Sequence, residues 1–292
     1  MTVQSARTAI TELPVRRLGP ADLGAIVALA GDRGWPPEES KWRLMFAVSE
    51  AYGVDDPVGG LAGIVVLTNY GSELAAVGMM LVASRYGRQG LGRRLMRYAL
   101  DEAAGAVVYL TATAHGRPLY ERLGFRAIDT STSYTGIFVS DHPSHAPVGP
   151  SVLAGSRPVT VAGLGGLGAL DLAVFGADRG RVLAELVTFA DEFLECGEPV
   201  SGYAAAWAKG DVRMIGPLVA GDDRTASVLI STLARGWSGP IRVDIAGQHA
   251  ELARWAEARG LAARGQTTLM VHGGSLPGDR ARLFAPVSVA IG

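Results

Sequence analysis

Hydrophobic and polar positions along the chain follow two periods, one typical of strands and one typical of helices. Two or three strands are predicted ahead of residue 83, and the clear ones, rich in Val, Leu and Ile, run from Gly59 to Thr68 and from Glu73 to Val82. Apolar residues at helical spacing predict an amphipathic helix over 91–104. The remaining predictions are strands at 13–18 and 106–112, helices at 20–31, 37–49 and 117–123, and closing strands beyond Phe125. This order is typical of an α+β fold with a mixed sheet.

The chain also repeats itself. Pro14–Gly19 matches Pro158–Gly163 at an offset of 144 residues, and the triplet Asp-Arg-Gly at 32–34 returns at 178–180. Further matches in the same order are Gly63 with Gly202, Val77-Gly78 with Ile215-Gly216, Leu95 with Leu229 and Gly124 with Gly260. We therefore predict two tandem copies of one fold, a first copy at 1–145 and a second copy at 146–292, joined near 141–156 where prolines break regular structure.

Composition narrows the classes of function. With 48% hydrophobic residues and a net charge of −1, the 292-residue chain can bury large cores and has no global charge for binding nucleic acid or an anionic membrane. The single cysteine, Cys196, excludes an intrachain disulfide and a multi-cysteine metal site. Neither the first twenty residues nor Val159–Gly176 has the apolar run of a signal peptide or a spanning helix. Together with a strong bias of Arg over Lys, this predicts a cytoplasmic bacterial protein, monomeric or homodimeric.

One segment carries candidate chemistry. Leu81–Leu95 is an apolar strand end, a loop with glycines at 87, 90 and 92, and the start of the helix predicted at 91–104. A helix start leaves N–H groups free and carries the positive end of the helix dipole, and glycine lets a ligand approach the backbone, so this pattern suits a phosphate. Added positive charge comes from Arg85, Arg88, Arg93 and Arg94. The alternative is a structural turn followed by a solvated basic helix start.

The segment resembles the acetyl-CoA signature of the GNAT superfamily of N-acetyltransferases, Q/R-x-x-G-x-G/A. Gly90 and Gly92 fill the two small positions, whereas Gly87 replaces the first Gln or Arg, whose place Arg88 or Arg85 could take. The resemblance implies that backbone amides of the loop hold the CoA pyrophosphate, and that the preceding strand pairs with the pantetheine arm. The cofactor residues implied are Gly87, Arg88, Gln89, Gly90, Leu91, Gly92 and Arg93 in the loop, and Met80, Leu81 and Val82 in the strand.

A second family feature follows about thirty residues later. Leu119–Phe125, with the sequence LYERLGF, resembles the closing segment whose tyrosine protonates the departing CoA thiolate, a role that Tyr120 would inherit. A phenol with a pKa near 10 stays protonated at neutral pH and can donate to a thiolate. Alternatively, Tyr120 only anchors a short helix. Thr113 stands where the family often has an Asn that contacts the cofactor.

A competing motif lies in the second copy. The glycines of Gly163–Gly168 match G-x-G-x-x-G, the dinucleotide-binding fingerprint of NAD- and FAD-dependent oxidoreductases. That fingerprint requires a following strand that ends in Asp or Glu about 20 residues later. Arg181–Phe193 instead has the apolar spacing of a helix. The repeat also aligns these glycines with 19–24 of the first copy, which lacks the fingerprint, so the dinucleotide interpretation is disfavoured.

The second copy is predicted to lack the acetyl-CoA site. Its strand-to-helix loop is four residues shorter, Arg224 stands at the position of Gly90, and Asp222 and Asp223 add negative charge. Ala256 stands at the position of Tyr120. A structural or substrate-shaping role is therefore expected for this copy. Asp222 could also simply cap the following helix.

The general base is not identified by the sequence. Glu73, Glu50 and His115 could each accept the proton of an amine, but each could equally be an ordinary surface residue. Trp35 could border the acceptor site or belong to the core. The resulting hypothesis is an acetyl-CoA-dependent N-acetyltransferase that needs no metal, in which a primary amine of a small molecule attacks the thioester directly. The alternative is a non-catalytic acyl-CoA-binding or sensor module.

Overall fold

The computed structural model describes residues 10–140, 156–289 and 291. The chain divides into two compact units, a first unit at 1–108 and a second unit at 109–292. The division falls inside strand β5 (Val107–Ala112). Within the described ranges, none of the helices combines the length and the hydrophobicity that a membrane span requires.

The first unit is an antiparallel sheet with helices. Its strands are β1 (Arg16–Leu18), β2 (Glu50–Asp55), β3 (Leu61–Tyr70) and β4 (Leu74–Val82), which pair in that order. Its helices are α1 (Leu23–Asp32), α2 (Glu39–Val48) and α3 (Leu91–Glu102). The predicted amphipathic helix is α3, which buries Leu91, Leu95, Met96 and Ala99 on one face. The hydrophobic spacing was therefore sufficient to identify the helix that follows the glycine loop.

The second unit holds a larger mixed sheet. From the first copy it contains residues 109–112 of β5, helix α4 (Arg117–Glu121) and strand β6 (Arg126–Gly136). Its other strands are β7 (Ser156–Pro158), β8 (Glu192–Cys196), β9 (Gly202–Lys209), β10 (Val212–Ala220), β11 (Ile241–Ala246), β12 (Ala262–His272) and β13 (Leu283–Ala285). Its other helices are α5 (Leu164–Phe175), α6 (Gly180–Phe189), α7 (Asp223–Ala234) and α8 (Ala250–Ala258). The β10–β11 pair is parallel, whereas β9 pairs antiparallel with β8 and β10, and β6 pairs antiparallel with β11 and β12. These sheets and helices confirm the predicted α+β class.

The two copies share a local irregularity as well as the order of their elements. In β4 the register with β3 shifts between Ile64 and Val66, where Gly78 begins a bulge. In β10 the register with β9 shifts at the matching place, after Ile215. The predicted match of Gly78 with Gly216 therefore aligns two strands that each contain a β-bulge. A bulge bends its strand and redirects the side chains.

Strand β6 explains why the compact units differ from the predicted copies. It belongs to the first copy in sequence, yet it lies between β11 and β12 of the second copy and pairs antiparallel with both. Backbone pairing on both edges ties it to the second unit. The predicted boundary at 145/146 lies outside the described residues and stays a prediction.

The glycine-rich segment of the second copy is helical. Thr160 caps a short turn at Val161–Gly163 by accepting from the Gly163 N–H, and α5 begins at Leu164. Gly165, Gly166 and Gly168 thus lie within a helix and not in a loop after a strand, which removes the dinucleotide-binding interpretation. The helix predicted to end at Phe193 ends at Phe189, because Phe193 pairs with Ala205 in the sheet.

Candidate functional site

The glycine loop joins β4 to α3 through residues 83–90. Gly90 is the residue before the helix, and its φ of +89° lies in the left-handed region that glycine adopts without strain. Arg88 also has a positive φ, +62°. No described residue accepts a hydrogen bond from the N–H groups of Leu91, Gly92 or Arg93, which form the first turn of α3. The loop therefore ends in N–H groups that have no acceptor in the described part of the chain, at the positive end of a helix dipole.

The predicted cofactor residues contribute in different ways. Gly87, Arg88, Gln89 and Gly90 are exposed, and with Gly92 and Arg93 they surround the start of α3. Leu91 is fully buried, and its side chain packs in the core on the inner face of α3. In β4, Leu81 points into the core, whereas Met80 and Val82 are half-buried. Their contact with a cofactor stays a prediction.

The four arginines near the loop divide into two groups. Arg85 is ion-paired with Asp56, and Arg94 donates to the carbonyl of Leu13. Arg88 and Arg93 are exposed, and neither has a hydrogen-bond or ion-pair partner among the described residues. Of the arginines that could replace the missing first residue of the signature, Arg88 is therefore available, whereas Arg85 is already engaged.

Tyr120 lies in α4, with only 9% of its surface exposed. Its ring packs edge-on against Phe125, with the centroids 6.0 Å apart, and Phe125 in turn packs against His272 of β12 at 5.2 Å. No described residue hydrogen-bonds to the Tyr120 hydroxyl, and burial raises the pKa of this phenol to about 12. The phenol thus keeps its proton at neutral pH and has it free to donate, as the predicted acid requires.

The raised pKa of Tyr120 predicts a loss of stability at high pH. The folded chain holds the phenolic proton more tightly than the unfolded chain, whose tyrosines titrate near 10, so this stabilisation is complete below pH 10 and disappears as the pH approaches 12. Between pH 9 and pH 11 the wild type should lose about 1.4 kcal/mol more unfolding free energy than Tyr120→Phe. Denaturant titrations at both pH values measure the difference, and equal losses would contradict the assignment.

Thr113 is engaged in local structure. Its hydroxyl accepts from the Gly116 N–H at 3.3 Å, and its carbonyl accepts from Gly116 and Arg117 at 3.0 Å. These bonds shape the turn before α4. The same hydroxyl still has its O–H donor and a second lone pair, and its contact with a cofactor stays a prediction.

The three candidate bases occupy different surroundings. Glu50 is ion-paired with Arg17 at 2.7 Å and accepts from the Tyr52 hydroxyl at 2.9 Å. Glu73 precedes the 9-residue β4 at the end opposite the loop, about 30 Å away at the usual rise per residue. His115 is exposed in the turn before α4, and Trp35, with 39% of its surface exposed, is not a core residue. Only His115 among these three candidates lies in the same turn region as Tyr120.

The second copy differs at its corresponding strand-to-helix junction. Residues 221 and 222 alone join β10 to α7, and the Asp222 carboxylate accepts from the Thr225 N–H at 2.7 Å. Asp222 therefore caps the helix and occupies the N–H of its third residue, the position that Arg93 holds in α3. Ala256, the counterpart of Tyr120, is fully buried in α8. No group of His, Cys, Asp or Glu that could hold a metal occurs among the described residues.

Sequence reasoning missed the side chains that hold the loop. Asp32 accepts from the Ser84 N–H at 2.6 Å, and Asp56 accepts from the Tyr86 hydroxyl at 3.0 Å. Their separation of about 30 to 50 residues from the loop leaves no local motif. The only signal was the Asp-Arg-Gly repeat, which includes Asp32.

Comparison with known proteins agrees with this geometry. Two family models, each described as an acetyltransferase (GNAT) domain, match residues 41–127 and 167–285. YitH of Bacillus subtilis (strain 168), described as an uncharacterized N-acetyltransferase, is 27% identical over 276 residues, which cover 92% of this chain and 95% of the relative.

Solved structures show the same fold over almost the whole chain. A proposed acetyltransferase from Pyrococcus horikoshii has a TM-score of 0.78 at 18% identity and covers 96% of this chain and 95% of its own. A tandem GNAT protein from the clavulanic acid biosynthesis pathway has a TM-score of 0.61 at 16% identity and covers 90% of this chain and 99% of its own. With both copies matched, the chain belongs to the GNAT superfamily of N-acetyltransferases, as a tandem protein with two GNAT domains.

Proposed function

We propose that this protein transfers an acetyl group from acetyl-CoA to a primary amine of a small molecule, and that its first copy provides the cosubstrate site. The observation that carries this proposal is the start of α3, where the N–H groups of residues 91–93 follow Gly90 and have no acceptor among the described residues. Arg88 and Arg93 add two exposed positive charges at the same place, and neither has a partner within the described ranges. Donors and charges of this kind match a pyrophosphate.

We assign two roles to the chain's own residues, binding of the cosubstrate and donation of a proton. The loop binds and orients the cosubstrate, whose thioester supplies the activated acetyl group. Tyr120 holds a proton that it can donate to the leaving thiolate. Direct attack by the amine is favoured over a covalent enzyme intermediate because Cys196, the one thiol in the sequence, is buried and burial raises its pKa.

An enzyme and a non-catalytic acyl-CoA sensor are distinguished by thiol release. Both would bind acetyl-CoA, but only an enzyme releases free CoA faster when an amine is present. Screening a panel of small amines with a thiol-detecting reagent should identify acceptors that stimulate release. Binding of acetyl-CoA without stimulated release by any amine would favour the sensor.

The proposal also predicts the binding stoichiometry. One acetyl-CoA should bind per chain, because in the second copy Asp222 already caps the helix start that would receive a phosphate. Isothermal titration calorimetry measures this number, and Asp222→Ala should leave it at one, since the short junction remains. Two equivalent tight sites would contradict the role given to the second copy.

A further inference from the structure

The glycine loop is held at its beginning by two carboxylates from distant elements. At the end of α1, the Asp32 carboxylate accepts from the Ser84 N–H at 2.6 Å, and Arg33 donates to the Ser84 hydroxyl at 2.9 Å. After β2, the Asp56 carboxylate binds Arg85 and accepts from the Tyr86 hydroxyl at 3.0 Å. Residues 84–86 are thus anchored on both sides before the glycines begin.

Asp56 is the more buried of the two anchors. Its side chain is completely buried, and it also accepts from the Val58 N–H at 3.0 Å. Burial by itself would raise the pKa of this carboxyl, but the hydrogen bonds from Val58, Arg85 and Tyr86 hold the pKa below its usual range. The buried group is therefore a carboxylate whose acceptor sites are filled by the loop and by its own turn.

The anchor extends toward the helix start. The Arg85 carbonyl accepts from the Gln89 side-chain amide at 2.8 Å, and Gln89 immediately precedes Gly90. An ordered start of α3 loses less conformational entropy when a ligand binds than a mobile one does. Holding Arg85 in place thus restrains the segment that carries the free N–H groups.

We propose that Asp56 is a positioning residue, which acts through Arg85 and Tyr86 to hold the glycine loop in its binding conformation before acetyl-CoA arrives. Arg85 is then a structural anchor and not a phosphate ligand, unlike Arg88 and Arg93. The inference rests on the proposed function, because it assigns the loop to acetyl-CoA.

The second copy uses its corresponding residues differently. Its repeat triplet places Arg179 in the core, where the guanidinium binds the Asp171 carboxylate at 2.6 Å and the Tyr203 hydroxyl at 3.1 Å. Asp178 bonds to the nearby Gly180 N–H. With only residues 221 and 222 between β10 and α7, this copy has no glycine loop to anchor. The carboxylate anchor is therefore found in the first copy, which is the copy that has a glycine loop.

A double-mutant cycle tests the proposal with acetyl-CoA titrated into the full chain. Asp56→Asn and Arg85→Gln should each weaken binding about tenfold, and the double variant should be no weaker than either single one, because both changes release the same anchor. KM for acetyl-CoA should rise with kcat at saturation unchanged. Amide hydrogen exchange should quicken over 84–93.

Asp55→Asn is the matched control. Asp55 is the adjacent carboxylate, 59% of its side chain is exposed, and it pairs with Arg16 at 2.8 Å and not with the loop. It should leave acetyl-CoA affinity and exchange over 84–93 unchanged. If Asp56→Asn does not fold, Tyr86→Phe removes one bond to Asp56 while leaving the Arg85 pair intact, and it should weaken binding by a smaller factor.

Two results would overturn the anchor. Additive losses in the double variant would show that Arg85 contacts the phosphates directly, and unchanged affinity in Arg85→Gln and Tyr86→Phe would show that the loop needs no anchor. A wild-type chain that binds no acetyl-CoA would instead overturn the proposed function, so the two failures are distinguishable.

Discussion

Tyr120→Phe should lower kcat by roughly 10²–10⁴, the contribution expected of a positioned general acid. The ring and its edge-on contact with Phe125 remain, and no described hydrogen bond is lost, so the fold and acetyl-CoA affinity should be preserved. Both kcat and kcat/KM should fall together, as for an interaction made mainly in the transition state. Steady-state kinetics with the best amine from the screen measures the loss.

The pH profile refines this expectation. A phenol of ordinary pKa would end activity near pH 10, but burial raises the pKa of Tyr120 to about 12. Loss of the Tyr120 proton should therefore cause no basic limb below about pH 11, one unit under that pKa.

Tyr134→Phe is the matched control, because Tyr134 is equally buried, with 9% of its surface exposed, and lies in strand β6. The Tyr134→Phe variant should keep the kcat of the wild type. Near-normal turnover of Tyr120→Phe as well would show that solvent protonates the thiolate and that Tyr120 only packs.

Gly90→Val should weaken acetyl-CoA binding at least about a hundredfold. A β-branched residue strongly disfavours positive φ, so the residue before α3 would leave its conformation of +89° and redirect the N–H groups that follow. The Cβ itself has room, since the nearest atom, Thr11 Cγ2, is 3.6 Å away. The loss thus arises from backbone strain and from obstruction of the ligand's approach, and calorimetry measures it.

Gly105→Val controls for strain alone. Gly105 also has a φ of +89° with open space around it, but it follows the other end of α3. Both variants should lose similar unfolding free energy, about 1–2 kcal/mol, while only Gly90→Val loses binding. Equal binding losses would mean that general destabilisation, and not the loop, explains the effect.

Much of the local structure was predictable because it depends on neighbouring residues. The spacing of Leu91 and Leu95 predicted α3, and the glycines at 87, 90 and 92 predicted the loop before it. In the second copy, the short junction with Asp222 correctly suggested a capped helix. Each of these features arises from interactions within one turn or one strand, where sequence spacing corresponds directly to spatial neighbours.

Residue roles that depend on distant contacts were not predictable. The sequence makes Arg85 a candidate phosphate ligand, whereas the structure pairs it with Asp56. The sequence likewise makes Glu50 a candidate base, whereas the structure places it in an ion pair with Arg17. Side-chain charge is evident in a sequence, but the partner that neutralises it is chosen by the packing of strands and turns far apart in the chain.

The sequence by itself determined that this protein is a tandem α+β chain with a glycine loop and a helix start suited to a pyrophosphate in its first copy. Only the tertiary structure decided that strand β6 of the first copy pairs with β11 and β12, and that buried Asp56 holds the loop. The physical reason is that helices and turns form through contacts near in sequence. Sheet order and buried ion pairs are instead selected by long-range burial and hydrogen bonding, which leave no local pattern.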